Sequence, residues 1–342
     1  MKWLKGITPV LSSPFEGSIQ TVEQAQTSRE VIEASGLNWR VVEKPISIHG
    51  EHEIIDTHKA IVRADTNLRL GIVGHKYHPL QNSEIFAFAD SLIGEGKLEY
   101  VGAGSFNEGR RIFVQCRATG SGDDDFGPTE VADGDVVYPY FLFVNGHDGS
   151  SSVRVMNTEI RVVCQNTLNA AINSSKKKKD TSLCIRHTKS MSERLEQAKE
   201  TFVWAKMNHL SWVKDAKRLV AAKIAKQAEL ASYFDAVFNV VPSEAAIEAE
   251  RSKVQEDNRR MRLIELFESG AGNDNPAVRG SRWAAVNAVT QYLGHEARTG
   301  VRGGKSLNEE QHAAMTRQKR LESNIFGSNA DIADRAFELA LQ

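Results

Sequence analysis

A chain of 342 residues with a formal net charge of −1 has no global field to draw it onto nucleic acid or a membrane, so any such affinity has to come from local patches. Its 41% hydrophobic and 25% charged content suits a globular protein with one large core or two smaller ones. Cys116, Cys164 and Cys184 lie in or beside apolar runs without a pairing pattern, MKWLKGITPVLSSPF has no continuous apolar core, and no run of 18 apolar residues occurs; these features predict a soluble cytoplasmic protein with reduced thiols and no membrane partner.

In chain order, helical periodicity over Thr21–Ala34 puts Val22, Ala25, Val31 and Ile32 on one side, and Gly36 ends it. Trp39–Ile48 alternates as a strand, and Ile54-Ile55, Ala60–Arg63 and Leu68–Val73 predict further short strands. Asn82 or Ser83 opens a helix through Leu92, closed by Gly94 and Gly96. Leu98–Gly102 and Arg111–Ala118 pair across an Asn107-Glu108-Gly109 turn, and residues 119–135, with six acidic residues and no basic one, read as a loop. Tyr138–Val144 and Val153–Cys164 form a hairpin, with Asn157-Thr158 as a local break; Asn166 or Thr167 caps a short helix carrying Leu168, Ala171 and Ile172. A capping box at Ser190–Glu193 opens a helical region to about Phe238. Helices follow over Ser243–Phe267, about Ser281–Arg298 and Ser306–Gln342, the last with a thin stripe of Ile332, Phe337, Leu339 and Leu341. The period changes from two to 3.6 near Ser190, which predicts an α+β fold: a mixed or antiparallel sheet domain with a hairpin-to-helix core over residues 1–185, then a helical region over 186–342 packing on it or on a neighbouring subunit.

Four stretches carry a resemblance. RVVCQNTLNAA at Arg161–Ala171, VGHKYHPLQNSEIFAFADSL at Val73–Leu92, VGAGSFNEGRRIFV at Val101–Val114 and RWAAVNAVTQYLGH at Arg282–His295 together resemble a phage- and plasmid-borne family, labelled only phage/plasmid-like protein, a domain of unknown function. The resemblance implies a mobile-element protein. It brings no catalytic residues to carry over, so sites are argued from the residues.

Gly303-Gly304-Lys305-Ser306 has Thr299 where a phosphate-binding loop needs glycine, and follows a helix rather than a strand. His147, Asp148 and Ser150–Ser152 sit in one predicted turn, too close in sequence for a hydrolytic triad. Cys184-x-x-His187 with Cys164, or His75-x-x-His78, supplies one close ligand pair where structural zinc commonly uses two, and Asp123–Asp125 reads as a solvated loop; no metal and no cofactor are expected.

The cations are unevenly distributed. From Gly149 to Met191, Arg154, Arg161, Lys176, Lys177, Lys178, Lys179, Arg186 and Lys189 face only Glu159 and Asp180, a local balance of +6. From Arg279 to Arg320, eight cations including Arg279 and Arg282 face three glutamates, a balance of +5. Each phosphate neutralised by such a patch releases counterions, and Tyr138, Tyr140, Phe141 and Phe143 are candidates for base stacking. Solvated helix faces for the charges and core positions for the rings are the competing explanations. A hairpin leading into a helix beside a basic segment resembles the core of annealing recombinases. The expectation is a non-enzymatic, ATP-independent protein that binds or anneals single-stranded DNA as a homo-oligomer, with Arg154, Arg161, Lys176–Lys179, Arg186, Lys189, Arg279 and Arg282 on the strand. The alternative is an enzyme or host-interaction factor with His75, His78, Asn82 and Asn166 as its polar candidates.

Overall fold

Alternating apolar residues build the sheet, and helical stripes cover it. The computed structural model describes residues 20–21, 27–49, 53–93, 98–120, 126–161, 167–168, 182–188, 199–238, 246–300 and 308–342. The strands are β1 (Gln20–Thr21), β2 (Val41–Ser47), β3 (Ile54–Arg63), β4 (Arg69–Gly74), β5 (Leu98–Phe106), β6 (Arg111–Ala118), β7 (Thr129–Ala132), β8 (Asp135–Gly146), β9 (Val153–Arg161), β10 (Thr167–Leu168) and β11 (Ser182–Ile185). The helices are α1 (Ser28–Ala34), α2 (Asn82–Ile93), α3 (Lys199–Ala221), α4 (Gln227–Val237), α5 (Ala246–Ser269), α6 (Arg282–Gln291, continued by a π-turn over Tyr292–Glu296), α7 (Glu309–Phe326) and α8 (Ser328–Ala340). The fold is α+β. Among the described residues every strand pairing is antiparallel and no named strand lies beyond Ser190.

The main sheet runs β1–β5–β6–β8–β9–β10, with β7 on β8 and β11 on β9; β2–β3–β4 form a second sheet. Strand β8 is covered on both faces, which is why its sequence reads YFLFV without alternation. Phe141 and Phe143 join Ile112, Val114 and Val155 in a core shared with Ile85, Phe86 and Ala89 of α2. Tyr140, Leu142 and Val144 join Phe113 and Met156 on the other face, closed by Leu321 and Ile325 of α7. The helical region therefore packs within the chain. The stripe on α8 does likewise, with Phe337 stacked 5.4 Å from Trp212.

Several boundaries differ from expectation. Thr21 lies in β1, and α1 starts at Ser28 behind the N-cap Thr27, whose side chain and Glu30 form a capping box. Strand β3 is one ten-residue strand instead of two short ones. Part of the acidic loop is ordered as β7, turning into β8 through Asp133-Gly134, with Gly134 at φ +71°. Asn157 and Thr158 do not break β9; they pair in register with Phe141 and Tyr140. Thr167 and Leu168 are a short strand on β9, and the rest of the helix expected there lies outside the described residues, as does the Ser190 capping box. The long helical region is split at residues 222–226, where Lys223 bridges to Ser281. Gly327 separates α7 from α8.

Candidate nucleic-acid interface

Strand β9 carries a row of polar residues on one face. Val155 points into the core with Phe143, so Asn157, Glu159 and Arg161 point to the same side, beneath α3. Arg161, expected to contact DNA, is fully buried. Its Nε donates to Asp135 Oδ1 at 2.6 Å, Nη1 to the Ala271 carbonyl at 2.9 Å and Nη2 to the Gly272 carbonyl at 3.0 Å. Asp135 Oδ2 in turn accepts the Trp283 indole at 2.8 Å. A buried charge is tolerated only with such partners, and these tie the sheet to the loop before α6. Arg161 is thus a structural residue that no phosphate reaches, a correction to the sequence expectation.

The next residue on that face, Glu159, accepts from or pairs with His209 Nδ1 at 3.0 Å, and His209 Nε2 lies 3.1 Å from Thr129 Oγ1. The order hydroxyl, imidazole, carboxylate is that of a nucleophilic relay. The Thr129 hydroxyl also has the Gly127 carbonyl at 3.1 Å as an acceptor for its single proton, so it is shared between a backbone anchor and His209. With Thr129 and His209 both buried, the chain of bonds fastens α3 to β7 and β9.

Of the polar candidates of the alternative reading, Asn82 is structural. Asn82 Nδ2 donates to the Leu37 and Trp39 carbonyls, at 3.0 and 3.2 Å, which turns Oδ1 toward His147 Nε2 at 2.9 Å. His147 Nε2 is therefore the donor and Nδ1 carries the lone pair. Burial pushes the imidazole down to about 3, so His147 is neutral across the physiological range. His187 stacks on Tyr77 at 4.5 Å and reaches the His78 carbonyl at 3.2 Å; burial lowers its pKa as well. The Tyr77 hydroxyl donates to the Gly146 carbonyl at 2.7 Å. Together these contacts moor the β8–β9 turn on the segment between β4 and α2. His75 is exposed, Asn166 lies outside the described residues, and no metal-ligand cluster is found among the described residues.

The remaining predicted cations are dispersed. Arg154 is half-buried on the face of β9 that points toward α7, Arg186 is exposed beyond the end of β11, and Lys176, Lys177, Lys178, Lys179 and Lys189 lie outside the described residues. Arg282 is half-buried, its Nη1 donating to the Ala340 carbonyl at 2.9 Å. Tyr140, Phe141 and Phe143 are buried and cannot stack on bases; Tyr138 is partly covered by Arg117, 5.0 Å above its ring.

Arg279 is exposed, and cations from another stretch of the chain lie next to it. Lys223 Nζ donates to the Ala277 and Arg279 carbonyls at 3.2 and 2.9 Å, which joins the Arg279 loop to the end of α3. On α3, Lys214, Lys217 and Arg218 are exposed on one side while Trp212, Val213, Ala216 and Leu219 face the core. The nearby carboxylates include Asp215, paired with Arg218 at 2.9 Å, and Asp133 and Asp274 on the loops that meet at Asn275. Like charges three and four residues apart destabilise a helix by a few tenths of a kcal/mol, ~0.2–0.5 per pair, so the clustering does not serve the helix itself. The helix dipole accounts for Arg218 in the last turn, but Lys214 lies too far from the end to benefit. The signal was present in the sequence: residues 199–226 hold seven Lys/Arg against Glu200 and Asp215.

A family model described as Domain of unknown function (DUF932) matches residues 69–325. Neither the curated proteins nor the solved structures contain a match to the chain.

Proposed function

The chain belongs to the DUF932 family, and we propose that it is a single-stranded-nucleic-acid-binding protein that acts without nucleotide hydrolysis, with strand annealing in recombination as its role on a mobile element. The observation that carries the reading is the exposed cationic side of α3, Lys214, Lys217 and Arg218, continued by Lys223 and Arg279 across the loop contact. A row of cations on a rigid helix can track a phosphate backbone without a catalytic centre. The resemblance to phage- and plasmid-borne proteins supports the mobile-element part, and the exposed Val203 and Met207, one turn apart on α3, support assembly into a homo-oligomer. Arg154 and Arg186, toward the opposite side of the sheet, form at most a second contact.

Fluorescence anisotropy of a labelled single-stranded oligonucleotide across a salt series tests the reading. The K214A/K217A/R218A variant should bind more weakly at every sequence, and the plot of log K against log salt should flatten by about 0.7 per lost contact. Equal affinity and slope in wild type and variant would remove α3 as the interface.

A further inference from the structure

The cationic side of α3 borders a groove, and the groove is not uniformly polar. It is open, about 500 Å3 in volume, and lies between α3 and β7. Leu210, Val213 and Ala221 supply its apolar lining, and Lys214, Lys217 and Arg218 its charge. That volume falls in the range of small-ligand sites, ~300–1,000 Å3. Thr129 also lines the groove, but its hydroxyl is engaged by Gly127 and His209, so the three cations are the polar groups it offers an occupant.

The complementary occupant has an apolar part for the lining and anionic groups for the cations. A duplex stacks its base faces inside and exposes only base edges within its grooves, while an unpaired strand can turn a base face outward beside its phosphates. We propose that the groove seats a short unstacked stretch of a single strand, its bases and sugars against Leu210, Val213 and Ala221 and its phosphates on Lys214, Lys217 and Arg218. This rests on the nucleic-acid reading above and adds to it the place where an unpaired base is held. An aliphatic lining has no hydrogen-bonding groups with which to read a base edge, so the seat accepts any base.

Ala221 allows a test that leaves charge untouched. It is exposed in the last turn of α3, and leucine matches alanine closely in helix propensity, so Ala221→Leu fills the groove without breaking the helix. Anisotropy would be read for labelled oligo-dT and for a duplex of equal length, with the full chain as wild type, A221L and K214A/K217A/R218A. A thermal melt of each variant verifies folding, and Leu210→Asn serves as a second probe of the lining. The expected result is a loss of about tenfold in single-strand affinity for A221L, with duplex affinity and salt slope unchanged. If A221L and L210N bind both forms as wild type does while the triple variant weakens both, the cations are a phosphate track without a seat; the inference falls and the nucleic-acid reading stands. If polyglutamate displaces the oligonucleotide from wild type and A221L equally well, the groove takes any polyanion and the inference also falls. Failure of wild type to bind either nucleic acid overturns both.

Discussion

The two sides of α3 carry ionisable residues under opposite conditions. On the inner side His209 is buried against Glu159, and below it Arg161 holds Asp135 and two backbone carbonyls. On the outer side Lys214 and Lys217 stand in water, and the exposed Arg218 pairs with the half-buried Asp215. Counting charges along the chain treats Arg161 and Lys217 alike. What separates them is hydrogen-bond supply: stripping water from an ion costs several kcal/mol, and only a site with matching acceptors offsets that. The inner residues hold the fold together, which leaves the outer ones available to a ligand.

The sharpest way to break this contrast is at Arg161. Arg161→Ala leaves the buried Asp135 carboxyl without its cation, held by the Trp283 indole, and should cost about 3–5 kcal/mol. Urea denaturation followed by tryptophan fluorescence measures it. A loss under about 1 kcal/mol would mean that water reaches the pair, and the division between inner and outer charge would fail. Lysine at this position is no remedy, because one ammonium cannot span Asp135 and both carbonyls in the planar geometry of the guanidinium.

A smaller effect, graded by pH, comes from the turn moored on Asn82. His147 is held down to about 3 in the fold against about 6.5 in the unfolded chain, so between those values the unfolded state binds more protons. Stability is complete above pH 6.5 and falls as the medium is acidified, by at most about 1.4 kcal/mol per pH unit from this group. His187, also lowered by burial, adds with the same sign. Urea midpoints between pH 6.5 and 5, above the range where most carboxylates titrate, should show this slope. His147→Gln should flatten it; an unchanged slope would place the acid sensitivity elsewhere.

Much of the scaffold was legible in the sequence. The apolar alternation of Val153 and Val155, the positive-φ turn at Asn107-Glu108-Gly109 and the helix from Asn82 all come from local patterns that the fold keeps. The departures share a cause, which is burial imposed from a distance. Asn157 and Thr158 look like a break because polar pairs favour turns; they are strand because α3 covers one face of β9 and the α7-side core includes the other. Strand β7 is four residues long within an acidic stretch, and its register comes from β8 rather than from its own pattern. The site divided the same way. Exposed Arg279 could be picked out from its patch, but its link to Lys223 is a tertiary contact 56 residues apart. The charge run over residues 199–226 was readable and lay outside the two patches singled out.

The smallest expected change is the one that sharpens the comparison most. K214A/K217A/R218A should alter the unfolding free energy by no more than about 0.5 kcal/mol. Two contributions oppose each other: removing like charges at spacings of three and four relieves repulsion, while losing Arg218 removes an exposed ion pair with Asp215 and a cation in the last turn of the helix. Alanine also favours helix slightly over lysine and arginine. Thermal melts at low and high salt separate these terms, because repulsion is screened and propensity is not. A variant that melts with wild type in high salt yet binds oligonucleotide weakly in low salt assigns the outer face of α3 to recognition. One that loses more than about 1 kcal/mol has taken part in the packing of α3 on β7, and its binding defect would then report folding instead of contact.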